Sequence, residues 1–207
     1  TESLPFIFKA ATFAARKHKD QRRKGDGSPY IIHPLTVAEI LTKAGINDQE
    51  IIAAALLHDT VEDTGTSPDE IESEFGSRVR RIVCDVSDDK SLSKDERKKL
   101  QILHSSKLSD DSKLVKLADK IANIRDIVGS KRSPWNDEIT QGYVLWGREV
   151  CRGLVGVNGM MDSWADELWV SSFTGEDGDK HPAIPVGDVS KLLERYYSLM
   201  KEADGKK

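Results

Sequence analysis

The chain has 207 residues, of which 38% are apolar and 32% are charged, and its formal net charge at pH 7 is −4. A chain of this length can form one substantial domain, or one domain with an appendage. The acidic balance argues against a general nucleic-acid-binding protein. No apolar run approaches the roughly 20 residues that span a bilayer, so a membrane protein is not expected either.

The two cysteines, Cys84 and Cys151, form no metal-binding motif. Each lies in a helical pattern, so both are predicted to be buried thiols. Unpaired thiols are typical of a reducing compartment, and we therefore expect a cytoplasmic protein.

The first half of the chain predicts a succession of helices. An apolar stripe at helical spacing marks the first helix, and capping residues, prolines and glycines mark the ends of the others. The first helix covers residues 4–19, and the second begins at Pro34 and ends at Gly45. Asn47 and Glu50 form a capping box before a third helix over residues 48–59, and Ser67 begins a short fourth helix that ends at Gly76. The third helix is so apolar that we expect it to be buried on all sides.

The second half of the chain continues the helical pattern. Ser93 and Glu96 cap a charged helix that reaches about Leu103, apolar residues from Leu114 to Val128 mark a long amphipathic helix, and Ser133 with Pro134 opens a helix that continues to Val150. Strand patterns are nearly absent. We therefore predict an all-α fold of the orthogonal-bundle type.

The composition changes near Gly153, after which glycine, aspartate and proline become frequent. A short apolar helix around Trp164 and Trp169 follows, and Asp188 is suited to cap a last helix. We predict a domain over residues 1–155 and a short, helical C-terminal extension over residues 156–207.

Three separated segments carry side chains able to bind a metal. They are His33, the adjacent pair His58 and Asp59, and Asp119. The pair directly follows the apolar run that ends at Leu57, and a charged group carried into the interior needs a partner, hydrogen bonds or a metal. Two imidazoles and two carboxylates suit a divalent ion such as Mn²⁺, Fe²⁺ or Zn²⁺. A lone histidine before proline is more often a loop or capping residue, and a lone aspartate on an amphipathic helix is usually solvated, but the combination of all four residues favours one metal centre.

Glu62 and Asp63 lie four residues after His58 and Asp59, which places all four on the same side of a continuing helix. Carboxylates beside a metal can orient a water molecule, accept its proton and later deliver one to a leaving group. The alternative is that both residues are ordinary charges ahead of the cap at Ser67. The first interpretation predicts a pair of catalytic carboxylates.

A cluster of positive charge precedes the His33 segment. It contains Arg16, Lys17, Lys19, Arg22, Arg23 and Lys24. In a net acidic chain such a cluster attracts anions locally, although a solvated helix end has the same composition. Asn123 follows Asp119 by one helical turn, so it is either a contact to a ligand held at the metal or a plain surface residue.

These residues, in this order, resemble a known family. The arrangement of His33, His58-Asp59 and Asp119 resembles the signature of the HD-domain metal phosphohydrolases. Further motifs resemble the RelA/SpoT hydrolase domain, and one stretch is most similar to the short animal homologues of SpoT. The motifs are Arg22-Arg23-Lys24, Tyr30-Ile31 with His33-Pro34, Ala54 to Asp63, Phe75-Gly76, Leu114 to Lys120, and Asn123 to Asp126, and the stretch is Asp88-Asp89-Lys90 with Glu96-Arg97-Lys98. The resemblance covers about residues 4–155.

The resemblance implies an HD-domain helical bundle that removes pyrophosphate from the 3′ position of (p)ppGpp. It implies one Mn²⁺ per chain, with Zn²⁺ or Fe²⁺ as alternatives, held by His33, His58, Asp59 and Asp119.

Roles for the other candidate residues follow from the same resemblance. Glu62 and Asp63 would position and activate the attacking water. Arg23 and Lys24 would contact the nucleotide, and Asn123 would contact its ribose and base.

Two other activities fit the same pocket. The animal homologues are also credited with removing the 2′-phosphate of NADPH, and a general HD nucleotidase would act on 5′-phosphates. A ligand-binding regulator with a vestigial site is disfavoured, because every metal-binding and acidic position is filled. We expect a small nucleotide as the substrate and neither a nucleic acid nor a membrane as a partner, and the sequence leaves the oligomeric state open.

Overall fold

The computed structural model describes residues 3–131, 133 and 135–204. Within these residues it contains eleven helices and one two-stranded sheet. The helices are α1 (Ser3–Lys17), α2 (Ile32–Lys43), α3 (Gln49–Leu57), α4 (Thr60–Asp63), α5 (Pro68–Phe75), α6 (Ser77–Val86), α7 (Lys94–Ser105), α8 (Asp110–Gly129), α9 (Asp137–Arg152), α10 (Gly159–Trp169) and α11 (Val189–Asp204), and the strands are β1 (Ser172–Thr174) and β2 (Lys180–Pro182). The predicted all-α class is confirmed.

The first of two compact units comprises the chain up to Asp88 together with Leu108–Ala122. Helix α3 lies at its centre and packs against α1, α2 and α6, while α5 packs against α6. All seven residues from Ile51 to Leu57 are buried, as their apolar run predicts. This buried helix carries the chain into the interior immediately before His58.

The start of α3 differs from the prediction. Asp48, rather than Asn47, is the capping residue, and its Oδ1 accepts the backbone N–H groups of Glu50 and Ile51 at 2.9 and 3.4 Å. The Asn47 side chain instead donates to the carbonyl of Gly45, at 3.2 Å. It is therefore engaged with the turn that ends α2, which leaves the capping position to the next residue.

The second compact unit comprises residues 89–107 and the chain from Asn123 onward. Helix α9 packs against α7, α10 and α11, and α11 also packs against α7. The last helix begins at the predicted cap, since Asp188 Oδ1 accepts the N–H of Lys191 at 3.0 Å. The proposed division between residues 1–155 and 156–207 stays a prediction.

Helix α9 starts later than predicted. Its cap is Asn136, whose Oδ1 accepts the N–H of Ile139 at 2.8 Å. The hydroxyl of Ser133 lies 2.6 Å from that of Thr140, so Ser133 fixes the approach to the helix without capping it. Pro134, the other residue on which the prediction rested, lies outside the described residues.

A short antiparallel hairpin, which the sequence did not predict, joins α10 to α11. Phe173 of β1 pairs with His181 of β2. The His181 Nε2 donates to the Asp177 carboxylate at 2.9 Å and lies 3.7 Å from Asp137, the first residue of α9. Strands of three residues are too short to show a recognisable alternation of apolar and polar positions.

One of the two thiol predictions is wrong. Cys151 is buried, but Cys84 is exposed on α6. The apolar face of α6 is formed by Val79, Ile82, Val83 and Val86, and Cys84 falls outside it. No helix among the described residues is both long and apolar enough to cross a membrane.

Gly142 of α9 provides a test of how α11 is held. Tyr196 of α11 is 2% exposed, and a Cβ added at Gly142 would lie 2.8 and 2.9 Å from its Cγ and Cβ atoms. Gly142→Ala should therefore lower the free energy of unfolding relative to Gly129→Ala by about 1–3 kcal/mol, the typical effect of overpacking a core. Gly129 is the matched control, because it is also a helical glycine but has no atom within 4 Å of its added Cβ. Equal urea midpoints for the two variants, measured by circular dichroism, would contradict this packing.

Candidate metal centre

The four predicted metal ligands lie together inside the first unit. The Nε2 of His33 is 3.0 Å from Asp119 Oδ1 and 3.8 Å from Asp59 Oδ2. The Nε2 of His58 is 3.0 Å from the same Asp59 oxygen and 3.7 Å from Asp119 Oδ1. Ligands at about 2.0–2.2 Å from one ion are separated from each other by about 3–4.4 Å, so these four distances suit a single centre.

The four candidate ligands come from three structural features. His33 lies in the first turn of α2, His58 and Asp59 follow α3, and Asp119 lies in the middle of α8. His33, His58 and Asp119 are 3%, 4% and 8% exposed, respectively. Residues 86 positions apart in the chain therefore meet in a closed interior, which packing alone does not require of charged groups.

The hydrogen bonds of His58 fit a metal ligand. Its Nδ1 lies 2.7 Å from the carbonyl oxygen of Ala55, which assigns the ring proton to Nδ1. The opposite nitrogen, Nε2, is buried and makes no hydrogen bond. Metal-bound histidines commonly donate their other N–H to a backbone carbonyl in this way. The Nε2 atom thus faces the two carboxylates, where a bound cation would lie between the three groups.

The helix is interrupted at the ligand pair. The predicted helix over residues 48–59, continuing through Glu62 and Asp63, is wrong in this respect, because α3 ends at Leu57 and α4 begins at Thr60. The Thr60 hydroxyl donates to the carbonyl of Leu57 at 2.7 Å and satisfies a group that the break leaves open. The two residues of the interruption keep right-handed helical dihedral angles, and His58 Nε2 lies 3.0 Å from Asp59 Oδ2.

Charge compensation governs protonation in the centre. Burial disfavours the charged form of His58, yet the carboxylates of Asp59 and Asp119 raise its pKa well above the usual value. Burial also disfavours the ionised carboxylates, but His58 and His33 lower the pKa of Asp59. Lys120 and the two imidazoles likewise hold the pKa of Asp119 well below its usual range. Both carboxylates are therefore ionised, as a divalent ion requires of its ligands.

Lys120 is a functional neighbour that sequence reasoning missed. It is 4% exposed, and its Nζ donates to Asp119 Oδ2 at 3.2 Å. A signal was available, because apolar residues on α8 occur on more than one face. They are Leu114, Val115, Leu117, Ala118, Ile121, Ala122 and Ile124. A helix that is apolar nearly all round is buried, so the charged residues within this stretch are buried with it.

Tyr30 is a second neighbour, which appeared in the sequence only as part of a motif. Its hydroxyl donates to Asp59 Oδ2 at 2.6 Å. Burial and the nearby charge of Asp59 raise the pKa of Tyr30, so the hydroxyl stays protonated and remains a donor. The Arg23 guanidinium carbon lies 5.8 Å from the centroid of the Tyr30 ring.

The remaining predicted residues lie on the following elements. Glu62 and Asp63 are half-buried in α4, and Glu62 Oε2 accepts the backbone N–H of Asp88 at 2.8 Å. Lys24 is exposed, in the loop that follows Arg23. Asn123 is half-buried on α8, one turn beyond Asp119. Their roles in binding and catalysis stay predictions.

Comparisons with known proteins identify the family of the chain. The model of the HD domain matches residues 10–143. The guanosine-3′,5′-bis(diphosphate) 3′-pyrophosphohydrolase MESH1 of Homo sapiens is 51% identical over 165 residues, which cover 79% of this chain and 92% of the relative. The protein of the same name from Xenopus tropicalis is 49% identical over 166 residues, covering 79% and 93% of the two chains.

A solved structure is similar as well. It is described by the words "A metazoan ortholog of SpoT hydrolyzes ppGpp and plays a role in starvation responses". The match has a TM-score of 0.77 at 41% identity, and it covers 79% of this chain and 93% of the other.

The geometry predicts that Asp59→Ala abolishes metal binding and turnover together. The variant removes Asp59 Oδ2, the oxygen that lies near both imidazoles, so the centre loses one candidate ligand and one negative charge. Metal content measured by elemental analysis should fall from about one ion per chain to near zero. Asp20→Ala is the control, because the Asp20 side chain is 87% exposed. Full metal occupancy in Asp59→Ala would remove Asp59 from the ligand set.

Proposed function

Because the chain belongs to the HD-domain family, we infer that it is a guanosine-3′,5′-bis(diphosphate) 3′-pyrophosphohydrolase. The enzyme converts (p)ppGpp to GDP or GTP and pyrophosphate. The observation that carries this conclusion is the buried convergence of two imidazoles and two carboxylates. It occurs in a chain that is similar over 79% of its length to relatives bearing this name.

We propose Mn²⁺ as the ion that His33, His58, Asp59 and Asp119 hold, with Zn²⁺ and Fe²⁺ as the alternatives. Mixed imidazole and carboxylate ligands suit these ions, and no cysteine contributes to the group. When bound, such an ion lowers the pKa of a coordinated water and polarises the phosphoryl group. The protein supplies the fixed ligand geometry and the buried surroundings.

The reaction needs one proton acceptor and one proton donor. A water oxygen forms a bond to the phosphorus atom attached to the 3′ oxygen, and the bond between that phosphorus and the 3′ oxygen breaks. Pyrophosphate leaves with the water oxygen, and the nucleotide keeps a 3′ hydroxyl. Glu62 and Asp63 accept the proton of the water and return one to the 3′ oxygen. The hydrogen bond from the Asp88 backbone to Glu62 orients this carboxylate.

The anionic substrate requires positive charge near the centre. Arg23 lies against the ring of Tyr30, whose hydroxyl contacts Asp59, so its guanidinium is well placed for a phosphate or a base. Lys24 follows in an exposed loop and adds a second cation. Asn123 completes the proposed set as a contact to the ribose and base.

A product assay distinguishes this function from the two alternatives, removal of the 2′-phosphate of NADPH and a general nucleotidase activity. The protein is incubated with ppGpp, with NADPH and with 5′-mononucleotides, each with and without Mn²⁺. We expect Mn²⁺-dependent release of pyrophosphate from ppGpp. Orthophosphate from NADPH alone would instead identify a 2′-phosphatase, orthophosphate from mononucleotides alone would identify a general nucleotidase, and no product with any substrate would overturn the enzymatic function.

Glu62→Gln should lower kcat on ppGpp by about 10²–10⁴-fold, the usual contribution of a general base. The amide keeps the size and the hydrogen bonding of the side chain but cannot accept the proton. Asp63→Asn should behave similarly, and the double variant should lose less than the product of the two, because both groups act on one water. Metal content should stay unchanged. The control is Asp69→Asn, at a side chain that is 88% exposed. Near-normal turnover in both test variants would show that Glu62 and Asp63 are ordinary charges without a catalytic role.

Arg23→Ala and Lys24→Ala should each raise the KM for ppGpp by about 10-fold or more, because hydrogen bonds to charged groups contribute about 1.5–3 kcal/mol. Bound metal should remain at its normal level, since neither side chain belongs to the proposed ligand set. Lys43→Ala, at a 63% exposed lysine in the last turn of α2, is the control for loss of a positive charge. A loss of metal in the Arg23 or Lys24 variant would show a structural role instead.

A further inference from the structure

We propose that His18, Gln21 and Tyr30 form a positioning unit behind the metal centre. Tyr30 orients the metal ligand Asp59, Gln21 orients the carboxylate-bearing residue Asp63, and His18 joins the two. The proposal rests on the proposed function, because it takes Asp59 as a ligand and Asp63 as a proton acceptor. It adds three residues that touch neither the metal nor the reacting atoms.

The first contact fixes one particular oxygen of Asp59. The Tyr30 hydroxyl donates at 2.6 Å to Oδ2, the same atom that lies 3.0 Å from His58 Nε2 and 3.8 Å from His33 Nε2. Asp59 occupies the position before the first turn of α4, yet its side chain caps none of the N–H groups of that helix. The phenol, rather than the adjacent backbone, therefore directs this carboxylate toward the centre.

The second contact holds the end of α4. The Gln21 Nε2 donates to the backbone carbonyl of Asp63, at 2.7 Å. Helix α4 has only four residues, and a single turn is not stable by itself because helix nucleation is unfavourable. Carbonyl groups at a helix end also have no partner within the helix. Gln21 supplies one, and it thereby fixes the backbone from which the Asp63 carboxylate projects.

His18 links the two contacts. It is 2% exposed, its Nδ1 lies 2.7 Å from Gln21 Oε1, and its ring centroid lies 4.8 Å from that of Tyr30. A glutamine carbonyl only accepts hydrogen bonds, so His18 Nδ1 carries the proton and donates it. The Gln21 amide is thereby turned so that its NH₂ group faces Asp63. Two backbone hydrogen bonds, from Gln21 N to His18 O and from Tyr30 N to Gln21 O, complete the unit.

The positioning unit predicts two defects, one in metal affinity and one in kcat, that can be measured separately. In Tyr30→Phe the ring remains but Asp59 loses its donor, so the affinity for Mn²⁺ should fall by about 10–100-fold, the usual effect of removing an outer-shell partner. Excess Mn²⁺ should then restore kcat. In Gln21→Leu the affinity for Mn²⁺ should stay normal, while kcat falls by about 10–100-fold through misplacement of Asp63 and is not restored by Mn²⁺. A role in packing alone would change stability without separating these two measurements.

The experiment titrates the purified chain with Mn²⁺, using electron paramagnetic resonance to count the free ion, and measures kcat and KM at saturating Mn²⁺. Tyr197→Phe controls for loss of a half-buried tyrosine hydroxyl. Gln141→Leu is the matched control for Gln21, because Gln141 Nε2 also donates to a backbone carbonyl, that of Pro182, at 3.0 Å. Circular dichroism verifies that every variant is folded.

Each outcome decides the proposal. Weakened Mn²⁺ binding in Tyr30→Phe together with a Mn²⁺-independent loss of kcat in Gln21→Leu supports it. If either variant behaves like its control, the positioning unit is overturned, even where Asp59→Ala still loses its metal and the site assignment stands. If Asp59→Ala keeps its metal, the ligand assignment itself fails, and the proposal fails with it.

Discussion

The constraint on which the rest of the structure depends is the packing of two ionised carboxylates, buried Asp119 and half-buried Asp59, against two buried imidazoles. Moving a charged group out of water is unfavourable by several kcal/mol unless close partners compensate it. Here His33, His58, Asp59 and Asp119 compensate one another at 3.0–3.8 Å. That arrangement requires α2, the junction after α3, and the part of α8 that carries Asp119 to keep their relative positions. The packing of the first unit therefore determines the geometry of the centre.

The apolar helix α3 has a function beyond filling the core. Its buried run from Ile51 to Leu57 leads directly into His58 and Asp59, which lie between α3 and α4. The run therefore carries both side chains to the interior of the first unit, where His33 and Asp119 lie within 3.8 Å of them. At this junction the Thr60 hydroxyl donates to the carbonyl of Leu57. The proposed catalytic residues Glu62 and Asp63 thus lie on a short helix that has a hydrogen bond to α3 at its start and one from Gln21 at its end.

The sequence predicted the parts of this arrangement that depend on local chemistry. The buried character of α3, the caps at Ser67 and Asp188, and the glycine that closes α2 all follow from side chains acting on their own backbone. The four candidate ligands follow from residue chemistry and order together with the family resemblance, and the structure brings these residues close to one another.

The failures share a different cause, which is competition from distant or neighbouring partners. Asn47 has the right chemistry for a cap but is bound to the preceding turn, so Asp48 takes its place. The break between α3 and α4 leaves no mark in the helical spacing, because residues 58–63 would also fit a regular helix. Gln21 and Tyr30 reach Asp63 and Asp59 over 42 and 29 positions in the chain, a separation that no local pattern reveals.

Lys120 supplies positive charge to the centre when no ion is bound. Two buried carboxylates alone would repel each other, and both would favour protonation. The Nζ of Lys120 lies 3.2 Å from Asp119, and the neighbouring carboxylates raise the pKa of His58, so positive charge is already present. His58 would have to be neutral to hold a divalent ion through Nε2, whereas Lys120 could stay in place on Asp119 Oδ2. Protons would therefore compete directly with the metal for this centre.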